Sequence, residues 1–113
     1  MRRALLPLLF IAACSKGPQA DLQYISQARS LAAEWALVNE QAEQGHLTSA
    51  YVHTMHQDLR QQLQSTATSL TEPKSAYGQE IQAVLREPDD AAPHELRSHA
   101  SKLKQIEDGL ESA

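Results

Sequence analysis

Residues 21–45 read Asp-Leu-Gln-Tyr-Ile-Ser-Gln-Ala-Arg-Ser-Leu-Ala-Ala-Glu-Trp-Ala-Leu-Val-Asn-Glu-Gln-Ala-Glu-Gln-Gly. Within them Tyr24, Ala28, Leu31, Trp35, Val38 and Ala42 step by 4, 3, 4, 3 and 4, and Ile25 and Ala32 widen the band. That spacing puts the apolar groups on one face of a long helix, because successive residues turn through a 3.6-residue period. A strand would alternate with a period of two, and no stretch of the chain does so. Leu22, Ala33 and Leu37 form a second, weaker stripe, which marks either a central helix or apolar surface left for a partner. Gly45 ends the helix, since glycine enters the left-handed conformation of a C-terminal cap without steric cost.

The same pattern repeats downstream. Thr48 suits an N-cap, and Leu47 can pack on Val52 as a hydrophobic staple. Val52, Met55, Leu59, Leu63 and Leu70 then give a second helix its stripe. So short a connection predicts an antiparallel hairpin with the first helix. Pro73 interrupts the chain, and a shorter helix carries Tyr77, Ile81, Val84 and Leu85. The acidic turn from Glu87 to Pro93 suits the start of a last helix, whose stripe is Leu96, Leu103, Ile106 and Leu110. Lys104 lies within reach of Glu107 and Asp108. The expected fold is all-α: a small up-and-down bundle of three helices of about twenty residues and one of about twelve, the short one laid across an end.

Upstream of residue 21 the composition changes. Arg2 and Arg3 precede Ala4–Ala13, a run of ten apolar residues counting Pro7, which is the pattern of a secretory signal. As a helix the run would reach about 15 Å, half of a bilayer core of about 30 Å, too short to span it. The stretch Phe10-Ile11-Ala12-Ala13-Cys14 resembles the lipobox of bacterial lipoproteins: an aliphatic residue, two small residues and cysteine. The resemblance covers about fourteen residues and is silent on the rest of the chain. It implies that residues 1–13 are removed and that the Cys14 sulfur takes a diacylglyceryl group. It further implies that the new amino group is acylated, so that the membrane becomes a partner through lipid on Cys14. Ser15, where enterobacterial sorting would use Asp to retain the protein in the inner membrane, implies the periplasmic face of the outer membrane. Residues 14–20 then form a lipidated tether and residues 21–113 the bundle domain.

Charge and chemistry narrow the functional classes. Ten basic and fourteen acidic side chains give a formal charge of −4, and removing Arg2 and Arg3 makes the remainder more acidic. The basic residues are scattered singly, which argues against nucleic acid as a partner. A lone cysteine forms no internal disulfide and no multi-cysteine metal site. There is no Gly-x-Ser-x-Gly elbow and no phosphate loop, so neither an enzyme nor a cofactor is expected. Gln57, Gln61, Gln62 and Gln64 lie between the stripes and read as a neutral solvated face.

Two functional classes remain. The first is an interaction or structural lipoprotein that binds a second copy of itself or an envelope protein. The alternative is a periplasmic module that binds a metal or a small ligand through His53, His56 and His99. His53 and His56 sit at i and i+3, a spacing that can chelate a metal, and packing of the second helix on the last would bring His99 to them. His99 falls inside the stripe of the last helix, where desolvation is expected to lower its pKa.

Overall fold

The computed structural model describes residues 17–113. Residues 1–13 and Cys14, the expected lipidation site, lie outside them. A 3₁₀ turn at Gly17–Gln19 leads into α1 (Leu22–Glu43), followed by α2 (Ser49–Thr68), α3 (Ala76–Leu85) and α4 (Pro93–Glu111). The described residues contain no strand, and the all-α, up-and-down expectation holds.

Helix α1 is the central element. It buries Ile25, Ala28, Leu31, Ala32, Trp35, Ala36, Val38 and Asn39, an arc wider than the expected stripe. The width follows from its neighbours: α4 and α2 both pack along it, and its contact with α4 is the most extensive in the bundle. Tyr24 and Ala42, at the edge of the arc, are half-buried, and Ala33 and Leu37 face outward. Helix α3 packs on both α2 and α4. Across the diagonal, α2 and α4 share no substantial interface.

The ends of the first two helices follow the local chemistry. At Gly45 φ is +75°, the Gly45 N–H donates to the Ala42 carbonyl at 3.0 Å, and the His46 N–H donates to the Gln41 carbonyl at 3.0 Å. Those paired bonds satisfy carbonyls that the end of α1 leaves free. Thr48 Oγ1 accepts from the Tyr51 N–H at 3.1 Å, and Leu47 and Val52 both pack on the core.

Asp21 is fully buried at the N-cap position of α1, but its side chain makes no capping bond to that helix. Its carboxylate reaches across to the turn between α2 and α3. There it accepts from the Thr71 N–H at 2.9 Å, the Glu72 N–H at 3.1 Å and the Tyr77 hydroxyl at 2.6 Å. Burial alone would raise the Asp21 pKa, but these donors outweigh it and hold the carboxyl below its ordinary 3.8. Burial and the bond to Asp21 together push the Tyr77 hydroxyl up to about 12. The same pole fastens the entering chain: Thr71 Oγ1 donates to the Gly17 carbonyl at 3.1 Å, and Gln19 Nε2 to the Leu110 carbonyl at 3.0 Å. Residues 17–20 therefore belong to the fold. Glu107 also departs from expectation. It turns inward to meet Arg29 of α1 at 2.8 Å, while Lys104 pairs with Asp108 at 3.0 Å.

Gly78 marks the tightest backbone approach. A Cβ there would stand 2.1 Å from the Pro73 carbonyl oxygen, whereas at Gly109, on the outer face of α4, it would meet nothing within 4 Å. Gly78→Ala should therefore lower the urea midpoint by the equivalent of about 1–3 kcal/mol, the usual effect of forcing atoms into a packed site. Gly109→Ala should raise it by about 0.5–1 kcal/mol through helix propensity alone. Equal midpoints for the two variants would contradict this packing of α3.

Candidate functional site

The connection between α3 and α4, residues 86–92, turns several carbonyl groups toward the bundle, and side chains of α1 and α2 receive them. The Trp35 indole N–H donates to the Asp89 carbonyl at 2.9 Å. Asn39 Nδ2 donates to the carbonyls of Asp89 at 2.9 Å and Ala91 at 2.8 Å. Arg60 donates from Nε to Asp89 Oδ1 at 2.6 Å and from Nη1 to the Leu85 carbonyl at 2.9 Å, with Nη2 on the Glu87 carbonyl. Its guanidinium carbon stands 4.8 Å from the centre of the Trp35 ring, within cation–π range. The hydrogen bond from Arg60 and its charge overcome burial and hold the Asp89 carboxyl below 3.8.

These bonds determine which His56 nitrogen donates to Asn39. Both Asn39 Nδ2 protons go to backbone carbonyls, so the Asn39 amide orientation is settled and Oδ1 must accept. His56 Nε2 lies 2.7 Å from that oxygen and therefore carries a proton. In the neutral ring the lone pair then sits on Nδ1. Nδ1 has no partner among the described residues, and none of their buried side-chain polar atoms lacks one, so Nδ1 reaches the surface. The residue as a whole is only 7% exposed, and its ring tilts against Trp35 at 6.2 Å between centroids.

Two adjoining hollows of about 220 and 340 Å³ meet over this ring and share Ala42, Val52 and His56. Leu47 adds apolar wall, His53 stands at one edge, and the acids Glu43 and Asp90 stand at the other. The combination is an apolar floor, one unpartnered lone pair at the surface and an acidic rim.

His99 is placed elsewhere. Its Nδ1 lies 2.5 Å from Glu80 of α3 and its Nε2 2.7 Å from Glu87 of the α3–α4 connection. The expected convergence of His53, His56 and His99 does not occur among the described residues: α2 and α4 share no substantial interface, and the His99 ring is turned to Glu80 and Glu87. Both His99 nitrogens are engaged by carboxylates and one His56 nitrogen by Asn39. No group of three side chains able to hold a metal ion forms among the described residues. Burial alone would lower the His99 pKa as expected, but the hydrogen bonds that the ring donates to Glu80 and Glu87, with the charges of those carboxylates, reverse the sign and raise it above 6.5.

Asn39, Arg60 and Asp89 were not among the candidates read from the chain. Asn39 carried a signal all the same: it stands four residues after Trp35 and three after Ala36, a polar group inside an apolar arc. No family model, curated protein or solved structure matches the chain.

A raised histidine pKa stabilises the fold while the ring is charged. The contribution of His99 is complete below about pH 6.5 and is lost as pH rises through the higher folded value. The urea midpoint should therefore fall between about pH 6 and about pH 8. His99→Gln, which keeps a donor but does not titrate, should flatten that slope. A wild-type midpoint that rises over the same interval would restore the buried neutral histidine.

Proposed function

We propose that the chain is a lipid-anchored interaction module of the bacterial cell envelope, without catalytic activity, held through Cys14 and offering its helical bundle to a second protein. The observation that carries this reading is the lipobox-like sequence ending at Cys14, three residues ahead of Gly17, where the described fold begins. Three residues reach at most about 10 Å. Lipid on Cys14 would therefore keep the pole of Gly17, Asp21 and Leu110 close to the bilayer, and two or more acyl chains make such an anchor durable. No helix among the described residues is long and apolar enough to cross a membrane, so attachment in this reading runs through Cys14.

The orientation gives the opposite pole its role. Helix α1 has 22 residues and rises about 1.5 Å per residue, which sets the Gly45 turn and the hollows over His56 about 33 Å from the lipid end. Ser15 after the cysteine favours the periplasmic face of the outer membrane. Leu37 and Tyr51, both about half exposed, supply apolar contact area on α1 and α2.

Cys14→Ser supplies the test, because a hydroxyl does not replace the thiolate that accepts the diacylglyceryl group. Cells expressing the variant and fed a labelled fatty acid should yield an unlabelled, uncleaved chain, against a labelled and cleaved wild type. Equal labelling of the two would end the lipoprotein reading. For the interaction itself, a photo-crosslinking residue in place of Leu37 should give a discrete adduct in intact cells. Absence of any adduct from that position and from Tyr51 would count against a partner on these helices.

A further inference from the structure

The hollows over His56 combine three features that together specify an occupant. The first is the unpartnered lone pair of Nδ1 on a ring that is nine-tenths buried and held from behind by Asn39. It asks for a hydrogen-bond donor. The second is uncompensated negative charge. Of the acids at this pole, Glu40 is paired with Arg97 and Asp89 with Arg60, but Glu43 and Asp90 have no cationic partner among the described residues. The third is the apolar floor of Ala42, Leu47 and Val52, which suits an aliphatic stem.

A group that is cationic, donates N–H and carries a short aliphatic chain answers all three, and the lysine side chain is that group. We infer that this cleft receives a lysine of the partner protein, with the ammonium between His56 Nδ1, Glu43 and Asp90 and the methylene stem on Ala42 and Val52. The inference rests on the reading of the chain as an interaction module. Arginine fits less well: its planar fork is matched to a carboxylate or phosphate, whereas a compact ammonium can direct single protons to one nitrogen and two separate acids.

The probe is n-butylammonium, a lysine side chain without its backbone, titrated into the ¹⁵N-labelled full chain in nonionic detergent. Saturable shifts are expected at Ala42, Val52 and the His56 ring, at concentrations of about 1–10 mM for a single charged contact. The His56 ring nitrogens should show a protonated Nε2 and a bare Nδ1 before addition. n-Butanol at the same concentrations should not produce the shifts. Glu43→Gln with Asp90→Asn, both on the surface, should weaken binding about tenfold while Trp35 emission stays unchanged.

Equal shifts with n-butanol would reduce the cleft to an apolar hollow. A site-specific response to zinc chloride with none to n-butylammonium would make it a metal site, and spermidine binding more than a hundredfold tighter than n-butylammonium would make it a polyamine site. Each of these results overturns the proposal, as does unchanged affinity in the double variant. None of them bears on acyl labelling at Cys14 or on adducts from Leu37, so failure of the cleft and failure of the interaction reading are separately visible.

Discussion

The inward-turned carbonyls of the α3–α4 connection are the constraint on which the rest of the structure depends. A buried carbonyl without a donor costs about 1–3 kcal/mol, and here Glu87, Asp89 and Ala91, with Leu85 at the end of α3, each present a buried or part-buried one. Three side chains from two other helices supply the donors: Trp35, Asn39 and Arg60. The consequences run outward. Trp35 must stand with its indole edge toward the connection, which fixes the centre of the core. Arg60 must lie across the Trp35 face. Asn39 must point its oxygen away from the carbonyls, and that oxygen selects the tautomer of His56. A chain segment with no regular structure thus sets the chemistry of the nearest surface.

The two poles of the bundle are fastened by ionisable groups of opposite sign. Asp21 is stabilised as an anion, so its contribution is present above its ordinary 3.8 and is lost as pH falls through the lower folded value. His99 is stabilised as a cation, so its contribution is present below 6.5 and is lost as pH rises. Both operate together only between those limits. At the first pole a carboxylate gathers backbone N–H groups, and at the second an imidazolium joins two carboxylates from α3 and its following connection. Each device ties chain segments that the apolar core alone would hold only by shape, and shape is weakly specific in a core built largely from Ala and Leu.

The helices were legible because they follow from local periodicity. The stripe through Leu31 and Trp35, the stop at Gly45 and the cap at Thr48 need no knowledge of neighbours. Beyond the α1–α2 hairpin, which its short connection predicts, which helices meet was not legible, because apolar faces are non-directional and do not name their partners. The error over His99 has that origin. Its place in the stripe correctly signalled partial burial, but Glu80 and Glu87 lie 19 and 12 residues away, and only the packing of α3 on α4 shows that they converge on it. Glu107 belongs to the same class: read along its own helix it answers Lys104, and read across the bundle it answers Arg29. Asn39 was the one readable clue to the site, since a polar side chain in phase with a buried arc must find partners inside.

The cleft over His56 gains its selectivity from what stands behind it. A surface imidazole can rotate, exchange tautomers and hydrogen-bond in several directions, and ordering it on binding would cost affinity. Here the ring is packed against Trp35, its Nε2 proton is held by Asn39, and Asn39 is held by two carbonyls of a connection that Arg60 also grips. The acceptor is therefore positioned before any ligand arrives. The acids at the rim differ in this respect. Glu43 and Asp90 stand in solvent, where charge is screened and raises encounter rate and discrimination more than affinity. Recognition is divided between a preorganised lone pair that reads the presence of a donor and an acidic rim that reads its charge. Both elements lie at the Gly45 end of the bundle, opposite the pole of Gly17, Asp21 and Leu110.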